Sequence, residues 1–193
     1  MDWQGTGEVS QGANRRFFRL EMNIRPVKDD DLDAVAALHR AAFSASPMGH
    51  HGEAELVRAL HADGDVVASL LAERDGEFLG HVMFSRMCVD ADGKPLRAAG
   101  LAPLAVRQDQ QRNGIGAALI RAGLTQLRDA GIQISFVLGH AGYYPRFGYR
   151  PDFALPYISP FSGPHFMAVH LDSGLALPQR GRADYAPAFA RMG

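Results

Sequence analysis

The stretch "QRNGIG", residues 111–116, stands between an apolar run, "LRAAGLAPLAV" (96–106), and an amphipathic one, "IGAALIRAGLTQLRDAG" (115–131). Glycines one residue apart at a strand-to-helix junction remove the Cβ atoms that would hold a ligand away from the backbone. The amides of residues 113–117 form the free N-terminus of the following helix, and its dipole and unpaired N–H groups suit a pyrophosphate. Arg112 either adds a positive charge beside them or is a solvated loop residue. Two known phosphate loops are poor matches. A P-loop requires Gly-Lys-Ser/Thr, whereas Ala117 and Ala118 follow Gly116. A dinucleotide fingerprint requires a Gly or Ala three residues after Gly116, where Leu119 stands. What is left is Gln/Arg-x-x-Gly-x-Gly/Ala, carried by Gln111, Arg112, Asn113, Gly114, Ile115 and Gly116.

Working outward, "MNIRPV" reads as a short strand, followed by aspartates at a helix start and by Leu32, Val35, Leu38 and Phe43 at helical spacing. "EAELVRALHADG" is a second helix ended by Gly64. "DVVASLLAERDGEFLGHVMFSRMCVD" reads as two strands joined by a hairpin at Asp75-Gly76. Pro103 predicts a bulged stretch in the next strand. The helix after the glycine loop has a polar stripe of Arg121, Thr125, Arg128 and Asp129 and is otherwise substantially buried. "IQISFVLG", nearly all apolar, predicts a central strand. "HFMAVHL" predicts a late one with Met167, Val169 and Leu171 on one face. The order is a strand, two helices, a run of antiparallel strands, then strand–helix–strand. The expectation is a mixed α/β sheet in a single domain over 22–193, with 1–21 as an extension, either a flexible tail or an arm packing on a partner subunit.

The chain has 193 residues, 47% apolar and 21% charged, which suffices for one ordinary globular core. Lys and Arg number 20 against 21 Asp and Glu, for a formal charge of −1, which argues against a general nucleic-acid binder. The single cysteine, Cys88, excludes an internal disulfide and reads as a small buried core residue rather than a reactive thiol. No apolar segment approaches the roughly 18–20 residues of a membrane helix. The N-terminus lacks the apolar core of a secretory signal, so the expected location is cytoplasmic.

"GLAPLAVRQDQQRNGIGAALIRAGL", followed by "GIQISFVLGHAGYYPRFGYRP", resembles the acetyl-CoA-binding core of the GNAT N-acetyltransferases, and most of all their YhbS-like branch. The resemblance runs over residues 23–171 and includes "FSASPMGHHGEAELVRAL" and "PHFMAVHL". It implies the GNAT fold, a mixed and mostly antiparallel sheet splayed around an acetyl-CoA cleft and flanked by helices. It further implies pantetheine pairing with the backbone of Leu104, Ala105 and Val106, and pyrophosphate on residues 111–116 together with Ala117. The reaction implied is acetyl transfer from acetyl-CoA, as co-substrate and without a metal, to a small-molecule or peptide amine within a ternary complex. The rival reading is a non-catalytic acetyl-CoA-binding sensor or regulatory module.

Such chemistry needs an oxyanion donor, expected as a backbone N–H near Ala105 or Val106, and a proton for the departing thiolate. Tyr144, four residues before Gly148, matches the family's Tyr-x-x-x-Gly-Phe/Tyr segment, and its phenol suits a general acid. Tyr143 and Phe147 are expected to wall the pantetheine channel. For the general base, His140 either takes over a position where relatives carry Asp or caps the strand end. His50, His51, Glu53 and Glu55 fall where the first helices shape the acceptor pocket, or else on a solvated loop and helix face. The His pair lacks an evident third metal ligand. The apolar face of "HFMAVHL" predicts pairing of two copies in a homodimer.

Overall fold

The computed structural model of the chain describes residues 22–43 and 52–192. The expected 1–21 extension and the candidates His50 and His51 lie outside the described residues. Strand β1 (Asn23–Pro26) leads through a 3-10 turn at Asp29–Asp31 into helix α1 (Leu32–Phe43), and α2 (Glu53–Ala62) follows. The aspartates act as expected at this helix start. The Asp31 carboxylate accepts the Lys28 amide at 2.8 Å and pairs with Arg25 on β1 at 2.6 Å. Next come β2 (Val66–Arg74), β3 (Glu77–Ala91) and β4 (Lys94–Val106). The β2–β3 hairpin turns at Asp75 and Gly76, both at positive φ, as a two-residue hairpin turn of this hand requires. Helix α3 (Ile115–Asp129), β5 (Ile134–Leu138), α4 (Pro151–Ala154), β6 (Tyr157–Ile158), β7 (Phe166–His170) and β8 (Gly181–Tyr185) complete the order.

The eight strands form one sheet, with the path β1-β2-β3-β4-β5-β7, while β8 joins β3 and carries β6. Neighbours along the path are antiparallel except β4 and β5, which α3 joins as a parallel crossover. β3 is long enough to pair with β2 along its first part and with β8 along Met87–Ala91.

Alternation along β3 divides the core. Val82 and Phe84 face α3 and pack with Leu119, Ile120 and Leu124. Met83 faces the other way and packs with Val35 of α1 and with Leu56, Val57 and Leu60 of α2. Gly123 is fixed by this packing, because a Cβ there would overlap the Phe84 ring. The same alternation corrects the expectation for Cys88. Met87 and Val89 turn inward, which leaves Cys88 exposed between them. The face of β7 expected to pair two copies is covered within the chain, with Met167 and Val169 buried in the α3-side core.

Candidate functional site

The sheet opens where β4 and β5 part. They pair from Ala98 and Ile134 up to Leu101 and Val137. Beyond that point β5 continues along β7, and the Gly139 amide donates to His165 at 2.9 Å. β4 bends instead. Its pairing with β3 slips between Leu101 and Leu104, at a cis Ala102–Pro103 bond, which is the bulge expected from Pro103. Residues 102–106 thus present an edge that β5 does not cover. The Arg107 amide donates to Leu79 on β3 at 2.9 Å, and the Gln111 side chain donates to the Val106 carbonyl at 3.2 Å. Antiparallel alternation therefore aims the backbone groups of Leu104 and Val106 into the gap and those of Ala105 toward β3. Of the two residues expected to supply an oxyanion donor, Val106 is the one whose amide is free to do so.

On the α3 side of this edge lies a cavity of about 550 Å³, lined by Leu104, Val106, Gln110, Gln111, Arg112, Gly114, Ile115, Gly116, Ala117, Tyr143 and Arg146. The loop does not use its glycines alike. Gly114, with φ of 83°, is the left-handed residue before α3, and a Cβ on it would touch nothing. Gly116 is needed for space, since a Cβ would come within 3.1 Å of the Tyr143 hydroxyl and 3.5 Å of Val106. Arg112 also sits at positive φ, 64°, so this loop holds a strained non-glycine residue. The first helical bond here runs from the Ala118 amide to the Gly114 carbonyl at 3.0 Å, which leaves the preceding amides without helical acceptors. Arg146, missed in the sequence, adds a second guanidinium, held 4.7 Å over the Tyr143 ring. Free amides, two cations and a floor without a Cβ fit a pyrophosphate. Asn113 is exposed in the same loop but does not line the cavity.

On the opposite side of the edge lies a second cavity, of about 480 Å³. Leu101, Ala102, Pro103 and Leu104 form its floor, Phe43 and Leu56 come from α1 and α2, and Leu138 and Tyr144 close the β5 end. Phe161, Tyr185 and Phe189 make the far wall as an aromatic chain, with centroid distances of 5.3 and 4.6 Å. Leu104 lines both cavities, so they meet at the β4 edge. Glycines open this region too: a Cβ on Gly100 would overlap the Tyr185 ring, and one on Gly139 the Tyr144 ring.

Tyr144 begins a 3-10 turn, Tyr144–Phe147, and the amides of Tyr143 and Tyr144 donate to the His140 carbonyl at 2.9 and 3.3 Å. His140 therefore caps the turn through its backbone, and it lines neither cavity. The Tyr144 ring stands edge-on to Tyr143 and Tyr149, at 5.2 and 5.9 Å. Burial, then Tyr143 beside it, pushes its phenol up to about 12, so the group keeps its proton at neutral pH. Phe147 lies deeper than expected. It is 9% exposed, packs behind Tyr143 with Arg121 over its ring, and lines neither cavity. Glu53 borders the second cavity, whereas Glu55 points away and is exposed.

A buried polar chain lies under α1. The Ser69 hydroxyl meets His81 at 2.9 Å, and His81 meets His39 at 2.8 Å. Burial lowers His39 to about 4 and His81 well below the usual histidine value, so both rings are neutral. Among the described residues no group of three or more His, Cys, Asp or Glu is placed to hold a metal, and no helix is long and apolar enough to cross a membrane.

Residues 23–151 match the acetyltransferase (GNAT) domain. The chain is 43% identical over 105 residues to the uncharacterized N-acetyltransferase YjhQ of Escherichia coli (strain K12), a match covering 53% of this chain and 58% of YjhQ. It is 35% identical over 130 residues to the uncharacterized N-acetyltransferase YhbS of the same strain, covering 67% of this chain and 74% of YhbS. Among crystal structures, a GNAT family acetyltransferase from Brucella melitensis in complex with acetyl-CoA superposes with a TM-score of 0.74 at 34% identity, covering 88% of this chain and 99% of that one. YhbS from Escherichia coli in complex with CoA gives 0.77 at 30% identity, covering 90% and 94%. The matching domain model, the identity to YhbS and the superposition agree, and the chain belongs to the GNAT family of N-acetyltransferases.

Proposed function

We propose that the chain transfers an acetyl group from acetyl-CoA to an amine held in the second cavity, both substrates being bound at once. The observation that carries this reading is the meeting of two cavities at the uncovered edge of β4, one with free amides and cations, the other apolar. The pyrophosphate would lie on residues 111–117 with Arg112 and Arg146 beside it. Pantetheine would run along Leu104 and Val106, displacing the Gln111 side chain from the Val106 carbonyl. The Val106 amide would receive the tetrahedral oxyanion, and Tyr144 would supply the proton to the departing sulfur. Tyr143 would wall the channel, while Ala105 and Phe147 would support it from behind.

Acetyl-CoA at millimolar concentration should raise the melting temperature, because a ligand that binds only the native state stabilises it. Thiol release should then depend on added amine, with intersecting initial-rate patterns. Stabilisation without amine-dependent thiol release favours a binding module instead. Absence of both overturns the proposal.

A further inference from the structure

We propose that the acceptor is a small monoamine with a compact apolar body, an alkyl- or arylalkylamine, whose ammonium group is drawn in by the Glu53 carboxylate. This rests on the acetyl-transfer reading above and names the substrate class of that site. The cavity of about 480 Å³ is lined by aliphatic and aromatic side chains, with Glu53 as the one charged residue among the described lining. Glu53 is half-buried in the first turn of α2 and makes no ion pair among the described residues. Among the described residues this carboxylate therefore faces an apolar space with no cation opposite it. Among the described lining, Tyr144 and Tyr185 bring the side-chain hydroxyls to this wall.

These walls select by what they fail to satisfy. A polyamine, an amino sugar or a peptide would press several donors and acceptors against Phe43, Leu56, Phe161 and Phe189, with few side-chain partners for them among the described lining. An anionic acceptor would meet Glu53 as a like charge. An apolar body gains from every methylene it buries, and a single ammonium finds its counter-charge at Glu53. The bound ammonium loses one proton to solvent, and the nitrogen lone pair forms a bond to the thioester carbonyl carbon. The C–S bond then breaks with its electron pair going to sulfur. The sulfur takes the Tyr144 proton, and the remaining excess proton on nitrogen restores the phenol, leaving amide and CoA thiol.

The test is thiol release from acetyl-CoA with propylamine to hexylamine, phenethylamine, spermidine, lysine and glucosamine. On this proposal kcat/KM rises by about fourfold per methylene along the alkyl series until the cavity is filled, each buried methylene contributing that factor. Phenethylamine exceeds every polar amine by at least about tenfold, a margin of two buried methylenes or fewer. Glu53→Gln raises the KM for phenethylamine by about tenfold or more and leaves the KM for acetyl-CoA within about twofold, the mark of lost ion pairing at one site. Glu55→Gln, the same charge change on the exposed face, leaves both unchanged. Turnover led by a polar amine, or flat along the alkyl series, overturns the substrate class while acetyl transfer stands. An unchanged amine KM in Glu53→Gln overturns the role of that carboxylate. Failure of every amine to release thiol, while acetyl-CoA still raises the melting temperature, overturns this inference and the acetyl-transfer reading together.

Discussion

Replacing Tyr144 with Phe isolates one hydroxyl. The ring is held by the space over Gly139 and by edge-on contacts to Tyr143 and Tyr149, none of which uses the oxygen. Packing and acetyl-CoA affinity should therefore be nearly unchanged. The chemistry should not be. With the phenol pushed up to about 12 and a free thiol near 8.5, handing the proton to a fully formed thiolate is uphill by roughly 5 kcal/mol. If Tyr144 is the acid, the proton would therefore cross only as nitrogen's own proton replaces it, and until then Tyr144 would stabilise the developing charge as a hydrogen-bond donor. A hydrogen bond to a charged group is worth about 1.5–3 kcal/mol, which sets the loss of kcat in Tyr144→Phe at roughly 10- to 150-fold. If proton transfer is complete at the transition state, the loss extends toward the 10²–10⁴-fold typical of general acids. The assay is thiol release under saturating acetyl-CoA, with rapid mixing to separate chemistry from product release. The acid form is the active one and is lost only as pH rises through about 12, so wild-type kcat should show no alkaline decline from this residue below about pH 10. Tyr143→Phe is the control and should cost little. Wild-type turnover in Tyr144→Phe, or equal losses in the two variants, would refute the assignment and leave water as the proton source.

The glycine loop offers two contrasting substitutions. Gly116→Val should weaken CoA binding by an order of magnitude or more in calorimetry while the protein stays folded, because the added carbons enter the space beside Tyr143 and Val106. Gly114→Ala meets no atoms and pays only for its positive φ, about 1 kcal/mol, which should lower the melting temperature by roughly 2–4 °C. Arg146→Ala should reduce CoA affinity several-fold at low salt and much less at high salt, as expected of a partly screened charge on a phosphate. Stability should also fall as pH drops. His39 titrates near 6.5 unfolded and about 4 folded, so its contribution is complete above about pH 6.5 and is lost progressively toward pH 4, by up to about 3 kcal/mol. A melting temperature that stays flat from pH 7 to pH 5 would contradict the buried, neutral Ser69–His81–His39 chain.

Much of the scaffold was legible because it is local. The 3.6-residue spacing of Ile115, Leu119 and Leu127 names the buried face of α3, Asp75-Gly76 names a hairpin, and Pro103 names a bulge. The glycine loop was legible too, since Gly114 and Gly116 lie one residue apart in sequence. Alternation misled at Cys88, where an apolar stretch hides which residues face inward until the pairing partners are known. β8 carried no signal: of "GRADY" only Gly181 and Ala183 are buried, and the strand exists because the far half of β3 is left unpaired by β2. That strand brings Tyr185 across from Gly100, and the chain after it brings Phe189, so most of one wall of the second cavity comes from a segment with no pattern of its own. Arg146 and the burial of Phe147 were likewise set by how a 3-10 turn docks on α3, not by spacing. The sequence by itself determined the order of elements and the place of the glycine loop at the head of α3, because hydrogen bonding and periodicity act between near neighbours. Only the tertiary structure decided what lines the second cavity, because its described walls are side chains from segments distant in sequence that meet where two strands part.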